Sequence, residues 1–208
     1  MEYKRRGDAT NAVHQRVGWK IYHPYSQYRG EILIFEKMEL PGAYIIEPKM
    51  LEDERGWFAR TFCRKEFEEH GLNPDISQCS TSLNKKKGTL RGMHYQSQPY
   101  EEAKLVRCTQ GAIHDIIADL RPSSPTFKKW TAVELSEENK KMIYIPEGFA
   151  HGFQTLTDNV EVFYQMSQFY SPDHARGFRW NDPSFNINWP LDFRIISPKD
   201  QSYPDFTS

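Results

Sequence analysis

From residue 41 onward the chain alternates between short apolar runs and turn residues. Runs of strand length cover residues 43–46, 103–108, 112–120, 131–135, 142–145, 152–156 and 160–166. Gly111, the stretch Pro122-Ser123-Ser124-Pro125, Pro146, Gly148 and Asp158-Asn159 stand between them. Many short strands punctuated in this way predict an all-β sandwich or barrel. Helical signals are few. Residues 64–70 form one candidate, stopped by Gly71, and residues 136–139 give at most a single turn. The chain carries no repeat of solenoid period and no low-complexity tract.

Residues 1–36 have a different texture. Asp8, Asn11, Pro24 and Gly30 interrupt them, and only residues 31–35 look strand-like. The predicted organisation is an N-terminal extension over 1–36 and one domain over 37–208, which suits a chain of 208 residues. Lys and Arg number 27 against 28 Asp and Glu, a formal net charge of -1. That balance argues against a general affinity for nucleic acid or an anionic membrane, and leaves room for a local basic pocket. No stretch approaches the ~20 apolar residues that span a bilayer, and the N-terminal segment lacks the apolar centre of a signal peptide. Cys63, Cys79 and Cys108 are odd in number and include no C-x-x-C pair. They read as structural thiols of a reducing compartment, so a cytoplasmic protein is expected. The 14% of aromatic residues suits a sheet protein whose pocket stacks a sugar or a base.

Within residues 160–166, Val160, Val162, Tyr164 and Met166 share one face, and Glu161, Phe163 and Gln165 the other. Tyr164 therefore points inward with the apolar set. A phenol there either packs in the core with a partner for its hydroxyl or reaches a ligand.

Three segments put ionisable groups where a sheet protein should be apolar. The first is Leu90-Arg91-Gly92-Met93-His94-Tyr95-Gln96, with Lys104 eight residues beyond it. The second is Ile145-Pro146-Glu147-Gly148-Phe149-Ala150-His151-Gly152-Phe153, and the third Ile196-Ser197-Pro198-Lys199-Asp200. Pro146, Gly148 and His151 have the P-x-G-x-x-H spacing of the second cupin motif, which points to a small jelly-roll barrel with a few short helices. Metal-binding cupins add an H-x-H pair and a glutamate. Here the first motif reads His94-Tyr95-Gln96, so the second histidine is missing, and His114 is the one substitute. No metal is expected.

In order and spacing these segments, with Asp53-Glu54-Arg55-Gly56-Trp57-Phe58, Lys104–Arg107, Ser123-Ser124-Pro125-Thr126-Phe127, Tyr164, Tyr170 and Trp180-Asn181-Asp182-Pro183, closely resemble the dTDP-4-dehydrorhamnose 3,5-epimerase family. The resemblance covers roughly three-quarters of the chain, about residues 41–200. It implies a cupin-like jelly roll (a double-stranded β-helix), a homodimer, and a nucleotide-diphosphate 4-keto-6-deoxy sugar as substrate. It also implies catalytic roles: His94 as base, Asp200 as the carboxylate orienting it, Tyr164 as proton donor and Lys104 beside the sugar ketone. Arg91 and His151 match diphosphate contacts, Tyr170 a residue stacking on the nucleobase, Lys199 a lysine of the ligand site, and Arg55 an arginine reaching across the dimer interface.

The chemistry is coherent without the family. A ketone at C4 acidifies the hydrogens on C3 and C5, a histidine near neutral pH removes one, and a different acid returns it to the other face. An ammonium beside the carbonyl oxygen stabilises the enolate. No cofactor is implied, since neither G-x-G-x-x-G nor G-x-x-x-x-G-K occurs. The chain departs from the family among substrate-binding positions: Arg60 replaces a frequent glutamate, Gln78-Cys79-Ser80 replaces Q-x-N, and Ala175 replaces an acidic residue. Those departures touch the identity of the nucleotide or sugar and leave the proton-transfer set intact. The alternatives are a 3,4-ketoisomerase on the same scaffold, a non-catalytic sugar-binding cupin and a metal-dependent oxygenase.

Overall fold

The computed structural model describes residues 32–192 and 194–207. Its strands open with β1 Leu33–Lys37, β2 Tyr44–Pro48 and a small hairpin of β3 Leu51–Asp53 and β4 Gly56–Phe58. Helix α1, Arg64–Glu69, precedes β5 Gln78–Asn84, β6 Thr89–Gln96, β7 Lys104–Gln110, β8 Ala112–Asp119 and β9 Trp130–Ser136. Then come β10 Met142–Ile145, β11 Phe149–Thr155, β12 Val160–Met166, β13 Ala175–Gly177, β14 Ile195–Ile196 and helix α2 Pro198–Gln201. Every strand predicted from the apolar runs is present, with ends displaced by a few residues.

Two sheets face each other. One has the order β1-β2-β10-β7-β12-β5 and the other β13-β6-β11-β8-β9, with β14 pairing parallel to β6. Neighbours in each ordered sheet are antiparallel, and apart from β1–β2 and β8–β9 they are distant in sequence, the crossing pattern of a jelly roll. Val106, Ile113, Ile117, Leu135, Ile143 and Val162, all essentially inaccessible, fill the space between the sheets. Alternation decides which residues these are, since each is the inward partner of an outward neighbour.

The outer faces are covered differently. Helix α1 lays Phe67 on Tyr144 and Phe35 over the first sheet. It begins at Arg64 as predicted and ends before Gly71, whose φ of 70° suits a residue without a Cβ. The C-terminal segment covers the second sheet. Phe178 stacks on Phe185 at 4.3 Å between ring centroids, and Trp189 and Phe206 close the same cluster. Truncating a side chain as buried as Phe178 costs about 3–5 kcal/mol. This segment also returns the chain, through β14, to the edge of β6.

Strands β5 and β6 gave no apolar signal in the sequence. Gln78, Ser80 and Ser82 turn inward on β5, so neither face of that strand is apolar. Strand β1 runs across the expected division at residue 36 and pairs fully with β2. The rest of the expected extension, residues 1–31, lies outside the described residues. Among the described residues no helix is long and apolar enough to cross a membrane.

Candidate active site

A cavity of about 640 Å³ opens between the two sheets beyond the end of the apolar core. Strand β12 shows the transition. Its inward residues Val160 and Val162 belong to the core, and the next two, Tyr164 and Met166, line the cavity. Strand β7 does the same with Val106 in the core and Lys104 in the cavity.

The opposite wall is built from β6 and β11. Between them the register shifts: Arg91 faces Phe153 and His94 faces His151, so three residues of β6 span two of β11. This bulge brings Arg91 and His94 onto the same inward face, which strict alternation would forbid. It requires glycine on both strands. A Cβ on Gly92 would stand 2.5 Å from the Cα of Gly152, and one on Gly152 would stand 2.9 Å from the Arg91 carbonyl oxygen.

His94 Nε2 lies 2.7 Å from Asp200 Oδ1. Asp200 sits on α2, where the Ser197 side chain caps the helix by accepting its backbone N–H at 3.1 Å. Burial works to raise the Asp200 carboxyl, but the bonds from His94, Ser197 and the Gly92 backbone outweigh it and hold the group below the usual carboxylate range. Such a carboxylate fixes the tautomer and tilt of the imidazole, leaving the other ring nitrogen for the cavity.

Tyr164 faces this pair from the other sheet. Its hydroxyl lies 3.0 Å from Ser82 Oγ. Burial, with the charge of Asp115 adding to it, pushes the phenol up to about 12, so it keeps its proton at neutral pH. Lys104 Nζ pairs with Glu102 Oε1 at 3.0 Å. His151 Nε2 lies 2.8 Å from Asp115 Oδ2, both groups deeply buried. Arg91 Nε donates to Asn84 Oδ1 at 2.7 Å. Tyr170 lies exposed at the cavity, its backbone N–H donating to Gln78 Oε1 at 2.6 Å. Ser80 and Lys199 complete the lining named by the sequence, and Ala175 also borders the cavity.

Two expected substrate contacts lie elsewhere in the single chain. Arg55 is at the exposed turn of the β3–β4 hairpin, where its side chain bonds Asp53. Arg60 reaches Glu66 at 3.3 Å, and Glu66 in turn accepts the backbone N–H groups of Ile32 and Leu33. His114, the considered substitute ligand, does not join His94 and His151. It lies on the outward face of β8 while its neighbour Asp115 points inward between Ile113 and Ile117. Sequence reasoning missed Asp115, Glu102, Ser82, Asn84 and Tyr203. Asp115 had a signal: an acid at an inward position of an otherwise apolar strand.

A cavity that sets an imidazole–carboxylate pair against a buried phenol has the equipment to move protons between the faces of one substrate. Residues 37–208 match the family model for dTDP-4-dehydrorhamnose 3,5-epimerase. The chain is 48% identical over 165 residues to the dTDP-4-dehydrorhamnose 3,5-epimerase of Shigella flexneri, covering 79% of this chain and 91% of that one. The crystal structure of the corresponding enzyme from Elizabethkingia anophelis superposes with a TM-score of 0.82 at 40% identity, over 85% of this chain and 97% of that one. A Legionella pneumophila dTDP-6-deoxy-D-glucose-3,5-epimerase, solved with dTDP-4-keto-L-rhamnose, gives 0.77 at 36%, over 85% and 100%. Fold and site together define a cupin-like epimerase of nucleotide-linked sugars. The chain belongs to the dTDP-4-dehydrorhamnose 3,5-epimerase family.

Proposed function

We propose that the enzyme inverts C3 and C5 of dTDP-4-keto-6-deoxyglucose, with His94 as base and Tyr164 as acid. One observation carries this reading: the His94–Asp200 pair and the Tyr164 hydroxyl line opposite walls of the same cavity. His94 takes the proton beside the ketone, and the electron pair of that C–H bond delocalises onto the C4 oxygen. Lys104 stabilises the developing oxyanion. Tyr164 then delivers its proton to the same carbon from the other face, and the configuration inverts. Enolisation moves protons only and calls for no electron carrier. Burial supports the assignment of Tyr164, since a phenol near 12 is present as the acid throughout the physiological range.

Arg91 and His151 hold the diphosphate, Tyr170 stacks on the thymine, Lys199 is a further lysine of the ligand site, and Gln78 and Ser80 lie along the same approach. Arg55 serves a second copy of the chain. Its exposed hairpin also presents Trp57 and Phe58, each about half accessible, which suits burial in a homodimer. The enzyme works in the cytoplasm, and the three free cysteines fit that compartment.

Incubation with dTDP-4-keto-6-deoxyglucose in heavy water tests the reading by NMR. Deuterium is expected at both C3 and C5 with inversion. A 3-keto product would make the enzyme a ketoisomerase, and absence of exchange would leave a sugar-binding protein.

A further inference from the structure

Behind the Tyr164 phenol runs a line of hydrogen bonds whose direction is fixed at its far end by donor and acceptor chemistry. It starts at Arg91. A guanidinium only donates, so the partner of Arg91 Nε at 2.7 Å is the amide oxygen of Asn84 and not its nitrogen. Asn84 is 2% exposed and has no solvent to compensate a reversed amide. Its Nδ2 therefore faces the other way, where it meets the Val160 carbonyl oxygen at 3.3 Å and Ser82 Oγ at 3.4 Å. A carbonyl only accepts, which fixes the same orientation independently.

Ser82 Oγ thus receives an N–H from Asn84 on one side. Its second lone pair leaves the contact with Tyr164 Oη, 3.0 Å away, open in either direction; the one compatible with a proton-donating phenol is that in which Ser82 donates. With the phenol oxygen as acceptor, the phenol hydrogen is not tied to Ser82 and turns into the cavity. We infer that Ser82 is the positioning residue of the proton donor, holding the Tyr164 hydrogen toward the substrate through a hydrogen-bond chain that begins at Arg91. This rests on the reading of Tyr164 as the acid.

The same bond serves the step after proton transfer. When Tyr164 delivers its proton, the enolate electron pair forms the new C–H bond and the O–H pair stays on the phenol oxygen. The phenolate then accepts from the Ser82 hydroxyl, a charge-assisted bond stronger than the neutral one before it. Water restores the phenol after product leaves. Burial and the Asp115 charge oppose ionisation of Tyr164, and the Ser82 bond is the largest influence acting the other way. Arg91, the proposed diphosphate contact, is therefore tied to the acid through two side chains.

The test compares Ser82→Ala, Ser82→Thr, Tyr164→Phe and the double variant Ser82→Ala/Tyr164→Phe. Each is incubated with dTDP-4-keto-6-deoxyglucose in heavy water, and deuterium entry and inversion are read from one sample. Ser82→Ala is expected to slow inversion about tenfold, the scale of one lost hydrogen bond, while exchange with retained configuration changes by less than about twofold. Ser82→Thr keeps the hydroxyl and should restore inversion. On the Tyr164→Phe background, Ser82→Ala should cost nothing further. Normal inversion in Ser82→Ala, equal losses of exchange and inversion, failure of Thr to restore, or a further loss in the double variant would each overturn the inference. Normal inversion in Tyr164→Phe alone would instead overturn the reading of Tyr164, and is seen separately.

Discussion

His94 and His151 lie directly opposite each other on β6 and β11, yet each imidazole bonds its own aspartate, Asp200 at 2.7 Å and Asp115 at 2.8 Å. Exposure separates them. The His94 side chain is 40% accessible and faces the cavity, whereas that of His151 is 6% accessible. The open imidazole is the one a substrate reaches more freely, which supports the proposal of His94 as the base.

His94→Ala should slow proton exchange at least ~100-fold, the usual range for a general base. Asp200→Asn keeps the hydrogen-bonding shape and loses the charge, so a smaller loss, roughly tenfold, is expected. Exchange into substrate measured by NMR on folded variants decides this. Near-normal exchange in His94→Ala removes His94 from the mechanism.

The bulge that aligns Arg91 with His94 depends on Gly92. Gly92→Ala would drive a Cβ into the Gly152 Cα at 2.5 Å and the His151 carbonyl oxygen at 3.0 Å, with φ at +130°. Both neighbours are backbone and cannot swing aside. A loss of about 1–3 kcal/mol in stability is expected, with activity falling because His94 lies two residues on. Gly71→Ala is the control: φ is +70° but nothing lies within 4 Å of the added carbon. It should cost about 1 kcal/mol and leave activity intact. Equal activity in the two variants, each checked by thermal unfolding, would count against the bulge as the source of the site.

Asp119 is fully buried and accepts from Arg121 at 2.8 Å, Ser124 at 2.6 Å and Thr126 at 2.7 Å. The Ser-Ser-Pro-Thr-Phe stretch is therefore a structural clasp, outside the lining of the cavity. Burial works to raise the Asp119 carboxyl, but these bonds hold it down at about 2. A depressed folded value stabilises above the unfolded value of 3.8 and loses that stabilisation as pH falls through about 2. The contribution at neutral pH is about 2 kcal/mol. Asp119→Asn should lower the urea midpoint at pH 7, and the gap from the parent should narrow in acid between about pH 4 and pH 2. A gap that stays constant with pH would show that the carboxylate charge is not what the clasp uses.

Much of the scaffold was legible because burial writes itself into alternation, as in Val160, Val162 and Tyr164 on β12. The wall with His94 was less legible. Its bulge breaks the period of two between Arg91 and His94, and β5 turns Gln78, Ser80 and Ser82 toward a cavity, so neither strand shows an apolar stripe. The family resemblance named His94, Tyr164 and Asp200, and the cavity brings all three together. It did not name Asp115, Asn84 or Ser82, whose hydrogen bonds run to the side chains of His151, Arg91 and Tyr164. Their partners are set by tertiary contacts 36, 7 and 82 residues apart, which no local spacing displays.

Arg55 gives the sharpest test of assembly. Its hairpin projects from the fold, and its guanidinium lies with Asp53 away from the cavity of its own chain. If each cavity is completed by the Arg55 of a second copy, His94→Ala and Arg55→Ala damage different partners of one site. Each variant alone should be weak. Mixed after dissociation and reassembly, half the dimers become hybrids, and in each hybrid one cavity carries both lesions while the other carries neither. About a quarter of all sites should then regain full activity, from symmetry alone. If Arg55 acted within its own chain, every cavity in the hybrid would keep one lesion and mixing would restore nothing. The same outcome would follow if Arg55 had no part in the site, but Arg55→Ala alone would then be fully active. Three measurements, the two variants apart and the mixture, separate all three arrangements.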